Sequence, residues 1–281
     1  MTFRNLVLTV LSCLAVSLAT SAHAALLVHE TFNHSDGVLL GKTPTPGPGG
    51  AWTAYSNGGS QPIQVNGGMA VLTQAAGSGG REDLSSSFAP QSATSTTYAA
   101  FDFRLPSSTN LTGEPLGLND SSGDPLDGQG LYFAHFMHGS SSNFRGRTGI
   151  VQPSSGGDFG LAINANGQNL GTGATWPTDL SFDTTYRVVI SYEAATGDSR
   201  LWLNPTDQSS PSILSDSDSI GDLVQGFGLR QNTDYEGQQL IDNLCVAMTF
   251  NEALNCVPEP ASGALLLMGA IGLLAPAARR C

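Results

Sequence analysis

The sequence is poor in charged residues and almost without lysine. Only 12% of its 281 residues are charged, and Lys42 is the single lysine. The formal net charge is -12 at pH 7. Phosphate groups are bound mainly by clustered Lys and Arg side chains, so this charge balance argues against nucleic acid and anionic membrane surfaces as partners.

Motifs for catalysis are also lacking. No Gly-x-Ser-x-Gly segment occurs, and no Glu-x-Asp-x-x-Glu run places two carboxylates on one strand face. His135 and His138 are three residues apart, so on a strand they would face opposite sides and could not easily share one metal ion. We therefore predict that the protein is not an enzyme, and we keep a glycan hydrolase with a non-standard site as the alternative.

Helical periodicity is missing between the two termini, whereas turn residues are plentiful. The chain contains 34 Gly and 15 Pro. Many short strands joined by tight turns have this composition. A dozen or so strands without helices predict an all-β fold, and at this length we expect a two-sheet antiparallel jelly-roll sandwich.

Several strands are visible as alternating patterns. In residues 96–105, Ala99, Phe101 and Phe103 alternate with polar or smaller side chains and should face the core. Residues 185–193 and 199–204 form the clearest predicted hairpin. Another hairpin turns at Asn66-Gly67-Gly68, where a positive φ is needed. The closing strand is expected over residues 240–250.

The N-terminus has the features of an export signal. Arg4 gives it a positive charge, an apolar stretch follows over residues 6–19, and Ala22-His23-Ala24 has the small-x-small form of a cleavage site. We predict a signal peptide over residues 1–24, with cleavage between Ala24 and Ala25.

The C-terminus combines a rigid triplet, an apolar segment and two basic residues. Pro258-Glu259-Pro260 precedes the apolar residues 261–278, and Arg279 and Arg280 follow them, just before the last residue, Cys281. Roughly 20 apolar residues span the hydrocarbon core of a membrane, and basic residues favour the cytoplasmic side. We predict a transmembrane helix over about residues 261–278. An ordinary single-span anchor is the alternative to a processed signal.

This tail resembles the PEP-CTERM sorting signal of Gram-negative bacteria, with triplet, helix and basic cluster in the family's order. The resemblance implies a sorting signal over residues 256–281. It further implies export, transient anchoring in the inner membrane and processing by an exosortase, with the product at the cell surface or in an exopolysaccharide matrix.

Four cysteines are present, and two remain after processing of the termini. Cys13 would leave with the signal peptide and Cys281 with the tail, so Cys245 and Cys256 stay in the domain over residues 25–255 or at its end. Export places them in an oxidising compartment, where an even number of cysteines indicates a disulfide. We predict this disulfide; two free thiols are the alternative.

Three short segments carry a resemblance to concanavalin A-like (laminin-G-like) sandwiches. They are Glu30-Thr31-Phe32, Leu201-Trp202-Leu203-Asn204-Pro205 and Leu240-Ile241-Asp242-Asn243-Leu244-Cys245-Val246. The resemblance implies a lectin-like domain, whose partner would be a polysaccharide or another surface protein. In many such sandwiches a structural calcium ion lies between the first and last strands. Glu30 and Asp242 would be its ligands if those strands pair; otherwise Asp242 is a satisfied carboxylate at a strand end.

A sugar site would need aromatic rings for stacking and polar groups around them. The candidates are Trp52, Tyr55, Tyr132, Trp176, Trp202 and Tyr235. The sequence therefore favours an exported, non-catalytic surface or matrix protein that binds carbohydrate. A purely structural matrix protein without a small ligand is a further alternative.

Overall fold

The computed structural model describes residues 26–73, 80–109, 115–116, 129–139, 143–217, 220–231 and 237–257. Several sequence predictions lie outside the described residues: the signal peptide with its cleavage site at Ala24 and Ala25, the triplet Pro258-Glu259-Pro260, the apolar segment with Arg279 and Arg280, and the aromatic candidate Tyr235. None of the helices in the described ranges has the length and apolar character needed to cross a membrane.

Strands are the main regular structure of the described chain, as the turn-rich composition predicts. They are Leu26–Glu30 (β1), Gly37–Val38 (β2), Thr53–Ser56 (β3), Gln64–Asn66 (β4), Met69–Thr73 (β5), Asp83–Ser87 (β6), Thr96–Arg104 (β7), Ser108–Thr109 (β8), Pro115–Leu116 (β9), Leu131–His138 (β10), Phe144–Val151 (β11), Gly160–Asn164 (β12), Ala174–Thr175 (β13), Thr185–Glu193 (β14), Ser199–Leu203 (β15), Ser212–Ser215 (β16), Val224–Leu229 (β17) and Gln238–Ala247 (β18). A 3-10 turn covers Leu170–Thr172, and one α-helix, α1, covers Phe250–Asn255.

Two antiparallel sheets contain nearly all of these strands. Sheet A has nine strands in the order β16-β15-β14-β7-β18-β5-β4-β2, with β1 also paired to β18. Sheet B has seven strands in the order β13-β12-β11-β10-β17-β6-β3. Strands β8 and β9 form a small separate ladder. The predicted all-β, two-sheet antiparallel sandwich is confirmed.

The core lies between the two sheets and is rich in aromatic rings. The alternation predicted for β7 is confirmed, because Ala99, Phe101 and Phe103 are all fully buried in the main core cluster. Phe103 of sheet A stacks on Phe133 of sheet B with ring centroids 4.5 Å apart. Aromatic pairs of this kind contribute about 0.5–1.5 kcal/mol beyond the burial of their area.

The last strand, β18, lies inside sheet A. One of its edges pairs with β7, and the other edge is shared by β5 and β1. A bulge at Asn243, whose φ is +48°, shifts the register between Asp242 and Cys245. The pairing of first and last strands, on which the calcium hypothesis was conditional, is present. Strand β18 ends at Ala247, earlier than expected.

A helix follows β18, so the expectation of no helix outside the termini was wrong. Thr249 caps α1: its hydroxyl accepts a hydrogen bond from the Glu252 backbone N–H and donates one to Glu252 Oε2 at 2.9 Å. An N-cap hydroxyl that accepts from the third helical N–H stabilises the first turn of a helix. Phe250 of α1 packs edge-to-face on Trp202, with centroids 5.1 Å apart.

The end of α1 is fastened to sheet A by a disulfide and an arginine. Cys245 of β18 and Cys256, the C-cap of α1, form the predicted disulfide with Cα atoms 5.5 Å apart. Arg187 Nη2 donates to the carbonyl oxygens of Ala253 (3.3 Å) and Leu254 (3.0 Å). These carbonyls lack partners within a helix, so the guanidinium group satisfies the end of α1.

The Glu30 carboxylate organises the start of the domain. It is fully buried. Its Oε1 accepts from the backbone N–H groups of Phe32 (2.7 Å) and Thr45 (3.4 Å), and its Oε2 contacts Trp52 Nε1 and His34 Nε2, both at 3.0 Å. One side chain thus joins β1 to the Pro/Gly-rich loop and to the core indole. A buried carboxylate needs such donors to offset its desolvation.

Replacing this carboxylate should destabilise the domain. In Glu30→Gln one of the two oxygens becomes an NH2 group, which cannot accept a hydrogen bond. In either orientation of the amide, this group would face N–H donors: those of Trp52 and His34, or those of Phe32 and Thr45. Since hydrogen bonds to charged groups contribute about 1.5–3 kcal/mol, we expect a loss of about 2 kcal/mol in the free energy of unfolding, measured by urea titration. Glu193→Gln, at the end of β14, serves as the control; equal effects of both variants would contradict the role given to Glu30.

Candidate functional site

The outer face of sheet A, turned away from the core, is closed by α1. Tyr98, Trp202 and Phe250 form an aromatic group under the helix, and Ala253 is fully buried against it. The Trp202 indole N–H donates to the Gln208 carbonyl, so that ring is also held from its edge. This part of sheet A offers no open aromatic surface for a ligand.

Two carboxylates lie beside the closed part of this face. Asp102 and Asp242 are directly opposite each other on β7 and β18. Asp102 accepts from Arg187 Nη1 (3.2 Å) and from Asn243 Nδ2 (2.8 Å), and Asp242 accepts from the Asn243 backbone N–H (2.7 Å). Burial raises the pKa of Asp242, and the nearby charge of Asp102 raises it further. The hydrogen bond from the Asn243 backbone N–H lowers this pKa and offsets part of the rise. Arg187 and Asn243 therefore compensate a pair of like charges that would otherwise destabilise the sheet.

The proposed calcium ligands project from opposite faces of sheet A. Glu30 is directly opposite Leu244, which lies in the core, whereas Asp242 is opposite Asp102 on the outer face. Residues directly opposite each other in an antiparallel pair have their side chains on the same side. Glu30 also has four N–H donors on its two oxygens. The calcium site at this pair stays a prediction, and neither the register nor these donors favour it.

Sheet B carries a different outer face, on which aromatic and arginine side chains meet. We call this group the aromatic–arginine cluster. Its members are Tyr55 of β3, Tyr132 and His135 of β10, Phe144 and Arg147 of β11, and Arg230 next to β17. Two of the predicted sugar-stacking residues, Tyr55 and Tyr132, are among them.

His135 is the centre of the cluster. Its imidazole stacks on Phe144, with centroids 4.0 Å apart, and Tyr55 Oη lies 2.8 Å from its Nε2. The ring occupies the space above Gly228 of β17, where an added Cβ would lie 2.1 Å from His135 Cε1. Glycine at this position therefore lets the imidazole cross β17 and reach Tyr55 from β10.

Two guanidinium groups lie against the rings. The Cζ of Arg230 is 4.3 Å from the centroid of Tyr132, and that of Arg147 is 5.1 Å from Phe144. Burial lowers the pKa of His135 well below its usual value, and the charges of Arg147 and Arg230 act in the same direction. The imidazole is therefore neutral near pH 7, and the cluster is positive through its arginines.

Most of the cluster is buried, and its partly exposed edge is formed by Tyr55 and Arg230. His135 is fully buried, whereas Arg147 retains 4% exposure. Two buried atoms, His135 Nδ1 and Arg147 Nε, have no hydrogen-bond partner among the described residues. Atoms of the same kind occur outside the cluster on Arg81, Arg104 and Ser199, so they do not by themselves mark a binding site.

Asp83 lies behind the exposed edge. Its Oδ1 accepts from the Gln231 backbone N–H at 2.9 Å. Burial raises the pKa of Asp83 to about 6, while the Gln231 hydrogen bond and the Arg230 charge partly offset the rise. The adjacent Glu82 is fully buried and accepts from the backbone N–H groups of Gly59 and Ile63. Glu82 therefore has a structural role, and Asp83 is the titratable acid of this edge.

The other aromatic candidates have structural positions. Trp52 is fully buried and donates its indole N–H to Glu30. Trp176 is partly buried against the main core, and Trp202 lies under α1. Sequence patterns alone did not separate these rings from Tyr55 and Tyr132, because the distinction depends on which sheet face each strand turns outward.

The histidine prediction agrees with the structure. His135 is buried in the cluster, whereas His138 is partly exposed at the rim and contacts Asp222 Oδ1 at 3.2 Å. The two imidazoles have different partners and do not share a site. The importance of His135 was missed, because its role depends on Tyr55, 80 positions earlier in the chain.

Comparisons with known proteins give weak likenesses only. No protein-family model matches the chain, and no curated protein matches it. Among solved structures it is similar to the carbohydrate recognition domain of Emp47p (10% identity, 81% of this chain and 98% of that one, TM-score 0.41) and to lectin I of Ulex europaeus in complex with the methyl glycoside of α-L-fucose (14%, 75% and 97%, 0.41).

A sialidase is also similar, at 13% identity and a TM-score of 0.42. The match covers 80% of this chain but 19% of the sialidase. At these identities and TM-scores, none of the three likenesses carries an argument about function.

The raised pKa of Asp83 predicts a pH-dependent stability. Between about pH 4 and pH 6 the folded chain holds a proton on Asp83 that the unfolded chain has lost, so the contribution of this group to stability falls as the pH rises through that window. Asp83→Asn has no carboxyl group to titrate, so its stability does not fall in this way. A pKa shift of roughly two units corresponds to about 3 kcal/mol of stability at most.

Urea unfolding of both proteins at pH 4 and pH 7 measures the effect. From pH 4 to pH 7, we expect the free energy of unfolding of Asp83→Asn to rise by about 2 kcal/mol relative to that of the unmodified protein. Asp216→Asn, in an exposed loop, controls for the loss of one carboxylate. A constant difference between Asp83→Asn and the unmodified protein at both pH values would contradict the assignment.

Proposed function

We propose that this protein is an exported, non-catalytic carbohydrate-binding protein with a concanavalin A-like jelly-roll domain. It binds polysaccharide at the exposed edge of the aromatic–arginine cluster, where Tyr55 and Arg230 are accessible and Asp83 lies behind them. The observation that carries the proposal is the gathering of aromatic rings and guanidinium groups on the outer face of sheet B.

The contrast between the two outer faces supports this location. The helix α1 covers aromatic rings on sheet A, whereas on sheet B the cluster reaches a partly exposed edge. Sugar rings bind to proteins through apolar contact with aromatic faces together with a few fixed polar groups. Tyr55 supplies the ring, while Arg230 and Asp83 supply donors and acceptors of opposite charge.

The charge of the cluster favours a polysaccharide that carries carboxylate groups. Arg147 and Arg230 are positive, and His135 is neutral near pH 7. Guanidinium groups recognise carboxylates through paired hydrogen bonds. A uronate-containing polysaccharide combines the apolar ring face with an anion that the partly exposed Arg230 would bind.

The hydrolase alternative lacks a suitable acid pair in the described part of the site. Glu82 is enclosed by backbone donors, and Asp83 is held by Gln231. Glycoside hydrolysis uses two carboxylates that flank the scissile bond, one of which must be free to act as nucleophile or base. Carbohydrate binding without cleavage therefore needs fewer assumptions than catalysis.

Export and sorting form the second part of the proposal. Their support is in the sequence: the apolar N-terminal segment, the cleavage motif at Ala24 and Ala25, and the C-terminal triplet followed by apolar and basic residues. We propose a transient stay in the inner membrane, processing by an exosortase, and a final location at the surface or in the extracellular matrix of a Gram-negative bacterium.

A glycan array tests binding directly. The unmodified protein should bind uronate-containing glycans more tightly than neutral ones, and binding should weaken as salt is added, because exposed charges are screened. Arg230→Gln and Tyr55→Ala should each weaken binding about tenfold or more, since an interaction of about 1.4 kcal/mol corresponds to a factor of ten.

Arg200→Gln is the matched control for the loss of one arginine, because Arg200 is exposed on sheet A. Arrays with and without calcium also test the predicted ion. Binding to no glycan in either condition would refute the proposal. Equal binding by Arg230→Gln and Arg200→Gln would show that the binding site is not at Arg230.

The sorting proposal makes a separate prediction. Replacing Pro258-Glu259-Pro260 with three alanines should prevent processing, so the protein should keep its C-terminal segment and remain in the inner-membrane fraction. Mass spectrometry of the fractionated protein measures the C-terminus. A strain without the processing enzyme shows how the unprocessed protein behaves, and normal trimming of the triple-alanine variant would overturn the assignment.

A further inference from the structure

Three side chains that can bind metal ions converge on the outer face of sheet A. They are His29, Cys245 and Cys256, and their ligand atoms all lie within 4.8 Å of one another. Within the described ranges, this is the one group of three or more His, Cys, Asp or Glu side chains with that spacing. The group is remote from the aromatic–arginine cluster, which belongs to sheet B.

The sheet register and α1 bring these residues together. His29 of β1 is directly opposite Cys245 of β18, so their side chains lie on the same face. Cys256 arrives from the C-terminal end of α1, which folds back along β18. His29 and Cys256 are partly exposed, while Cys245 is fully buried, so the group is reached from solvent on one side.

In the structure both sulfur atoms belong to the disulfide and are not available to a metal ion. A dithiol reductant would transfer two electrons and two protons to the disulfide, giving two cysteine thiols and the disulfide of the reductant. Loss of the two thiol protons then produces the thiolates that bind soft or borderline metal ions.

Contacts other than the disulfide hold the three residues in place. Arg187 bonds to the Ala253 and Leu254 carbonyls, and Phe250 packs on Trp202, so α1 has its own attachments to sheet A. Arg187 Nη2 also lies 3.8 Å from Cys256 Sγ. A positive charge at this distance stabilises a thiolate.

We propose that the reduced protein binds one zinc ion through His29, Cys245 and Cys256, with water as the fourth ligand. Zinc commonly takes such nitrogen and sulfur ligands at about 2.0–2.3 Å in a tetrahedral arrangement. After reduction the two sulfur atoms would move apart from their bonded positions, and the His29 nitrogen, which lies within 4.8 Å of both, would need to approach them by only about 1 Å. Zinc and the disulfide exclude each other, because both use the same two sulfur atoms. The site is therefore a redox-dependent metal site.

Cobalt(II) titration tests the proposal, because thiolate–cobalt bonds absorb in the near ultraviolet. The full chain is used in detergent with Cys13→Ser and Cys281→Ser, so that these cysteines do not contribute. After reduction with a phosphine and its removal under anaerobic conditions, we expect one cobalt ion per chain, displaced by zinc. The oxidised protein should bind neither ion at this site.

His29→Ala in the same background should weaken binding at least tenfold, whereas His138→Gln should leave it unchanged. Zinc should also raise the melting temperature of the reduced protein but not of the oxidised one, since a ligand that binds the folded state stabilises it. If the reduced chain is unfolded, zinc should restore its fold. Equal cobalt binding by reduced and oxidised protein, or unchanged binding in His29→Ala, would overturn the proposal.

Discussion

The Arg187 guanidinium group connects the centre of sheet A to the helix that closes it. One of its nitrogens bonds to Asp102 and to the Asn243 carbonyl, and the other bonds to two carbonyls at the end of α1. The helix has only six residues and would be marginal in isolation. Its position depends on these contacts, on its packing against Trp202 and on the disulfide at Cys256.

Closing sheet A makes the two outer faces of the sandwich chemically different. Tyr98 and Trp202 of sheet A bury their rings against Phe250 of α1, where each aromatic pair contributes about 0.5–1.5 kcal/mol. On sheet B the rings stack instead with imidazole and guanidinium groups. The same residue types therefore stabilise the fold on one face and form a polar aromatic cluster on the other.

Local patterns predicted much of the fold, because strand faces follow from alternation. The core positions of β7 and the bounds of β14 were predicted correctly from such patterns. Strand β6 was missed, since its Asp-Leu-Ser-Ser-Ser sequence has little apolar alternation. Helix α1 was missed although Thr249 followed three residues later by Glu252 is the sequence signature of a helix N-terminus, which was the available signal.

The candidate site was less predictable, because its contacts join distant parts of the chain. Tyr55 and Tyr132 were recognised as aromatic candidates, but not their association with His135, which requires the register of β10 with β17 and the space above Gly228. Glu30 and Asp242 were correctly placed on pairing strands. The bulge at Asn243 decides their faces, and a single-residue shift of register cannot be seen in a sequence.

The charge distribution gives the aromatic–arginine cluster a character opposite to that of the whole chain. The chain carries a formal charge of -12, yet Arg147 and Arg230 lie together on one face beside a neutral His135. Long-range repulsion would slow the approach of an anionic polymer, and salt would screen it beyond roughly 10 Å. Binding to such a polymer must then depend on short contacts with the rings and guanidinium groups, which act within that distance. Because repulsion by the whole chain acts at long range and attraction by the cluster acts only at short range, the cluster would favour ligands that combine an anion with an apolar ring face over ligands that carry charge alone.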